Sequence, residues 1–239
     1  TIPPPFALVC EALDASLVAA EGEAPRDRPA LVVAFSGGPD STALLAAARQ
    51  AAADRPVIAA HLDHGLDAGS ALRARTAERL ASRLGASWVE ERIAVADARH
   101  RGEGIEEAGR RLRYEFLEKA RQRAGARWIL TAHHRDDQAE TILLRLLMGP
   151  GLAGLAGIAA RRGTLLRPFL HLSKAQLRES LAVLGLEPVE DPTNLSPSAY
   201  RNRVRHRLVP PLEVDDSEVG AGLANPAPRA PPAPRAPHR

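Results

Sequence analysis

Ala30-Leu-Val-Val-Ala-Phe35, Ser36-Gly37-Gly38-Pro39-Asp40-Ser41 and Thr42-Ala-Leu-Leu-Ala-Ala-Ala48 follow one another without a break, and this stretch decides the fold. An apolar run with no polar interruption suits a strand covered on both faces, as in a parallel sheet. Gly37 and Gly38 let the backbone turn sharply, and Pro39 fits a first helical position, where its missing N–H would be unpaired anyway. Asp40 and Ser41 then supply hydrogen-bonding groups to the opening turn. The helix N-terminus so formed favours an anion, since its N–H groups and dipole point outward.

The turn has no Lys to reach outer phosphates, so it is not a Walker A loop, and it is not a Gly-x-Gly-x-x-Gly turn either. Ser-Gly-Gly-Pro-Asp-Ser directly after a strand resembles instead the pyrophosphate-binding loop of the N-type ATP pyrophosphatases, which cut ATP between its α and β phosphates.

Moving outward, Pro56 to Gly65, Ser87 to Val95, Arg127 to Ala132 and Leu165 to Leu170 read as further strands. Helices are predicted over residues 6 to 20, Ser70 to Leu84, Ile105 to Ala124, Asp136 to Met148, Ser173 to Leu184 and Ser198 to Leu208. In the second of these the apolar face is Leu72, Thr76, Leu80 and Leu84, and in the next Ile105, Ala108, Leu112, Phe116 and Ala120. Strand and helix alternate with short connections, which implies an α/β, doubly wound, mostly parallel sheet with helices on both faces. Ligands of such sheets sit beyond the carboxyl ends of the strands. Ser36, His61 and His133 all lie at such ends.

The organisation that follows is an N-terminal helix and linker over residues 1 to 27, a catalytic domain over 28 to 213 with a helical part from about 173, and a tail over 214 to 239. Asn225 to Arg239 is almost wholly Pro, Ala and Arg, a composition that stays extended and disordered. Gly149 to Gly157 is a glycine-rich loop.

Of the 32 basic residues only Lys119 and Lys174 are lysine, and the net charge is +3. A sequence pI near 9.6 permits a polyanionic partner without demanding one. Aromatics are 3% of the chain, so single-stranded nucleic acid is not held here by rows of stacking rings. Cys10 is the single cysteine, which excludes a disulfide framework or a Cys-x-x-Cys site and fits a reducing cytoplasm. No apolar run is long enough to span a membrane.

The second polar cluster is Thr131-Ala-His133-His134-Arg-Asp136-Asp137-Gln-Ala-Glu140. His133, Asp137 and Glu140 share a face if the helix begins by His133, and Asp137 with Glu140 in any case. Acids gathered at a helix start also suit the dipole with no ligand. Beside a triphosphate they could hold Mg²⁺, which takes oxygen ligands, and a spare carboxylate could act as general base. Glu106, Arg110, Arg113 and Tyr114 fall within a turn or so of one another, and Arg113 could clamp a phosphate or sit in a solvated salt-bridged face. Arg201 and Arg205 fall on one face of a basic helix suited to an RNA backbone.

The motifs in their order, SGGPDS at 36, HLDHGL at 61, GIEEAGRRLRY at 104, TAHHRDDQAETILLRLLMGPGLAGLAGI at 131, RPFL at 167, and EDPTN with YRNRVRHRLVPPLE from 190, resemble the tRNA(Ile)-lysidine synthetases. The resemblance implies an adenine nucleotide alpha hydrolase-like, Rossmann-like fold and a C–N bond-forming ligase. ATP adenylates the C2 carbonyl oxygen of the wobble cytidine in the CAU-anticodon isoleucine tRNA, and free lysine then displaces AMP. It implies ATP contacts from Ser36, Gly37, Gly38, Pro39, Asp40, Ser41, His61 and Arg110, and Mg²⁺ on Asp40 and Asp136. Asp137, His133 and Arg113 become the catalytic set, with lysine at Glu140 and tRNA at Arg201 and Arg205. His61, Asp63 and His64 shape the adenine side. Gly109 stands where the family usually has Ala, and many members continue past the position of Glu213 into domains that grip tRNA. The competing readings are a non-catalytic tRNA-binding remnant and a tRNA 2-thiolation enzyme, and the oligomeric state stays open, a homodimer included.

Overall fold

A computed structural model of the chain describes residues 2–22, 28–51, 54–65, 69–148 and 157–189. The elements run α1 (Pro4–Glu21), β1 (Leu31–Ala34), α2 (Pro39–Ala51), β2 (Val57–Asp63), α3 (Ser70–Arg83), β3 (Ser87–Arg92), α4 (Ile105–Arg123), β4 (Trp128–Leu130), α5 (Arg135–Met148), β5 (Arg161–Arg162), β6 (Leu165–Leu166) and α6 (Lys174–Ala182). They form one six-stranded sheet in the order β3-β2-β1-β4-β6-β5, parallel except for the β5–β6 pair. This is the doubly wound α/β architecture that the alternation implied.

β1 lies in the middle because its side chains are apolar on both faces. Leu31 and Val33 enter a core shared with α1, α2, α6 and Ala77, Leu80 and Ala81 of α3. Val32 points the other way, to a core built on Phe116, Leu117 and Ala120 of α4. Chain order places β2 on one side of β1 and β4 on the other. The crevice between the carboxyl ends of β1 and β4 is therefore the topological switch point, where open sheets of this kind bind ligands.

Several elements depart from the sequence reading. Leu72 is 66% exposed, and α3 buries Ser70, Ala74, Ala77, Leu80 and Ala81 instead. Small side chains let this helix approach closely: Ala77 Cβ would lie 2.9 Å from a Cβ placed on Gly37. Ile105 sits at the first position of α4 and is exposed, while Ala108, Leu112, Phe116 and Ala120 are buried as expected. β3 stops at Arg92, and the strand expected over Leu165 to Leu170 is only two residues long, since Pro168 has no N–H to continue a ladder. β5 was not anticipated. α6 opens on a capping box: Gln176 N–H donates to Ser173 Oγ at 3.2 Å and Ser173 N–H to Gln176 Oε1 at 2.8 Å.

α1 is fastened to the sheet by a buried ionic contact. Arg55 Nη1 donates to both carboxylate oxygens of Glu21 at 3.2 Å, and Trp128 Nε1 donates to Glu21 Oε1 at 2.8 Å. No helix among the described residues is long and apolar enough to cross a membrane. The predicted basic helix with Arg201 and Arg205, the EDPTN motif, the glycine-rich stretch 149–156 and the tail lie outside the described residues.

Candidate active site

The loop after β1 is held in shape by its own hydroxyls. Ser41 Oγ donates to the Gly38 carbonyl at 3.0 Å, Thr42 Oγ1 to the Gly37 carbonyl at 3.1 Å, and Gly38 N–H to Ser36 Oγ at 3.3 Å. Gly37 has φ +83°, which an L side chain rarely adopts. A Cβ there would also meet Val189 Cγ2 at 3.1 Å. Val189 N–H donates to the Gly37 carbonyl at 2.8 Å, so the chain beyond α6 returns to this turn. Pro39 opens α2 with Asp40 in its first turn.

Across the switch point, β4 runs into Thr131 and then into α5, whose first turn carries Asp136 and Asp137. α5 begins at Arg135, so His133 is not on a helical face with Asp137 and Glu140; its Nδ1 lies 3.0 Å from Thr131 Oγ1. His134 joins the two motifs. It is 2% exposed, and its Nε2 lies 3.6 Å from Oδ2 of Asp40 and 3.6 Å from Oδ2 of Asp137. Its backbone N–H donates to Asp137 Oδ2 at 3.0 Å. Burial pulls its imidazole down, but the carboxylates of Asp40, Asp137 and Asp136 pull harder, and the net displacement is upward.

The sequence reading gave His134 no role. Gln138 was also missed: its side-chain amide bonds both the N–H and the carbonyl of Ile158, closing the backbone that follows the glycine-rich stretch.

A divalent cation fits this site through Asp40. Its Oδ1 is buried with no hydrogen-bond partner among the described residues, as an oxygen waiting for a ligand would be. No three His, Cys, Asp or Glu side chains among the described residues form a ready metal cluster.

Other expected residues divide. His61 is 8% exposed, its Nδ1 lies 2.9 Å from the Phe35 carbonyl, and its ring stacks on Trp88 at 5.2 Å. It therefore braces the end of β1 against β2. Arg113 is exposed and its guanidinium lies 3.0 Å from His64 Nε2. Arg110 lies over the Tyr114 ring of its own helix at 5.2 Å, and Glu140 is buried.

The PP-loop domain model matches residues 13–212. A tRNA(Ile)-lysidine synthase of Thermobifida fusca is 43% identical over 216 residues, covering 88% of this chain and 63% of that protein. One from Thermus thermophilus is 45% identical over 191 residues, covering 80% of this chain and 36% of that protein. This chain is thus shorter than the curated relatives it matches. Among solved structures, the U34-tRNA thiolase NcsA of Methanococcus maripaludis, described with its [4Fe-4S] cluster, superposes with a TM-score of 0.72 at 13% identity, over 91% of this chain and 78% of that one. An NH3-dependent NAD synthetase of Campylobacter jejuni gives 0.54 at 16%, over 93% and 87%. Those two likenesses establish the fold. With a glycine turn after β1, an acidic helix start across the switch point, and a family match over most of its length, this chain belongs to the PP-loop domain family.

Proposed function

We propose that this chain is the catalytic core of a cytoplasmic tRNA(Ile)-lysidine synthase, an ATP-dependent ligase that joins free lysine to C2 of the wobble cytidine of the CAU-anticodon isoleucine tRNA. The observation that carries the proposal is the meeting of Asp40 and Asp137 around His134 at the switch point, in a chain whose relatives bear that name.

ATP enters with its phosphates on the N–H groups of the loop Ser36 to Ser41 and the start of α2. Asp40 and Asp136 would hold Mg²⁺, which would neutralise phosphate charge there. The C2 carbonyl oxygen attacks the α phosphorus, the bond to the β-phosphate bridging oxygen breaks, and pyrophosphate leaves. The carbonyl oxygen is now a leaving group. A lysine amine, with an ordinary pKa near 10.4, must shed a proton before it adds to C2. Asp137 takes that proton or holds the ammonium, with Glu140 as a further carboxylate for the amine. The C–O bond then breaks and AMP departs with the oxygen. His133 and Arg113 surround the activated base, His61 and Arg110 lie on the nucleotide side, and Arg201 and Arg205 meet the tRNA backbone.

The thiolase reading is weaker on chemistry. Cys10, the single cysteine, is buried in α1, where burial pushes its thiol up to about 11. It supplies neither a set of cluster ligands nor a reactive thiolate.

The test is tRNA-dependent exchange of labelled pyrophosphate into ATP. Exchange with CAU-anticodon isoleucine tRNA and none without it supports the ligase, whereas tRNA binding without exchange makes the chain a binding remnant.

A further inference from the structure

His64 stands one residue beyond β2, on a turn that is tied down at several points. Oδ1 of the buried Asp63 accepts the Gly65 N–H at 2.9 Å, and its Oδ2 accepts the Ser70 hydroxyl at 3.1 Å and lies 3.4 Å from Arg92 Nε. His64 is thus presented on a rigid support, facing α4.

Its Nε2 lies 3.0 Å from an η nitrogen of Arg113. A guanidinium has only N–H donors, so Nε2 is the acceptor and the ring proton sits on Nδ1. That Nδ1 is buried with no hydrogen-bond partner among the described residues. It packs instead over Gly109, where a Cβ would lie 3.8 Å away. Burial, then the Arg113 cation and His61, hold the imidazole down at about 4 against the opposing pull of Asp63, so the acceptor lone pair is available at neutral pH. An arginine side chain loses considerable rotamer freedom when it is fixed. Here an acceptor from a different element supplies one anchor for the Arg113 guanidinium.

We propose that His64 is a positioning residue: in the Nδ1–H tautomer, its Nε2 holds the Arg113 guanidinium toward the nucleotide and the activated base. The role of Arg113 rests on the ligase reading, but the contact itself does not.

The experiment therefore has two independent arms. In protein labelled with ¹⁵N-histidine, long-range proton–nitrogen correlation reports the tautomer of each ring, and His64 is assigned by the signal lost in His64→Gln. The expected spectrum has a protonated Nδ1 and an acceptor-type Nε2 for His64, changing to the Nε2–H form in Arg113→Ala. An Nε2–H ring in the wild type, or a tautomer indifferent to Arg113→Ala, overturns the proposal.

The second arm is a double-mutant cycle on tRNA-dependent pyrophosphate exchange. His64→Ala should lower exchange about 10-fold, moving the same parameter, kcat or KM, that Arg113→Ala moves, and should cost nothing further in the Arg113→Ala background. Losses that multiply overturn it. His64→Gln, whose amide oxygen can accept the same bond, should recover part of the loss and stands in if His64→Ala does not fold. Absence of exchange in the wild type defeats the ligase reading, and the tautomer then decides the inference alone.

Discussion

The carboxylate of Asp40 in the first turn of α2 and the imidazole of His134 ahead of α5 face one another at 3.6 Å, across the gap between β1 and β4. Through this pair the phosphate loop and the acidic helix act as one site, since His134 reaches Asp137 from the same nitrogen.

The pair makes stability depend on pH in a definite direction. The carboxylates raise His134 above its ordinary value against the opposing effect of burial. A histidine raised in the folded state contributes stability that is complete below its unfolded value, about 6.5, and is lost as pH climbs through the folded value. Without Mg²⁺ the Tm of the wild type should fall more steeply than that of His134→Gln as pH rises from about 6.5. Parallel curves from thermal denaturation would count against the charged bridge.

Gly37→Ala tests the loop. With φ +83° and Ala77 Cβ at 2.9 Å, an added methyl meets both backbone strain and a neighbour that cannot swing aside. The expected cost is about 2 kcal/mol. The rise in Tm on adding Mg-ATP should vanish in the same scans; a retained rise would show that the turn tolerates a side chain.

Gly109→Ala has the opposite sign. The position is interior to α4, and the nearest atoms to a new Cβ, on His64 and Val95, are at 3.8 to 3.9 Å. Helix propensity then gains about 1 kcal/mol with no clash, read as a higher urea midpoint at an unchanged m value.

Glu21→Ala strands a buried cation. Side chains of Arg55 and Glu21 are 5% and 3% exposed, and Trp128 Nε1 loses its acceptor as well. Removing one partner of such a pair costs about 3 kcal/mol or more. Glu21→Gln, which keeps an acceptor for Trp128, should cost less in urea titrations.

Much of this was legible in the chain. The uninterrupted run Leu31 to Phe35, followed by two glycines and a proline, has one economical reading as strand, turn and helix, and β1, the loop and α2 are found there. α3 shows where periodicity misleads: leucine spacing selected Leu72, but close approach to the loop favours a face of alanines, which carries little hydrophobic signal. β5 is made by backbone pairing of Arg161 with Leu166 and Arg162 with Leu165, and nothing in an Arg-Arg pair announces it. His133 and His134 are adjacent and chemically identical in sequence. Only the break between β4 and α5 turns one toward Thr131 and buries the other between two carboxylates from distant segments. The sole sequence hint of that role was the number of acids around it.

The most direct test of the central claim is release of AMP together with incorporation of labelled lysine, using this protein, ATP, Mg²⁺ and unmodified CAU-anticodon isoleucine tRNA, with Asp137→Ala alongside. The account predicts both products in equal amounts from the wild type and neither from the variant. Normal tRNA binding with no AMP, or equal product from Asp137→Ala, would contradict it.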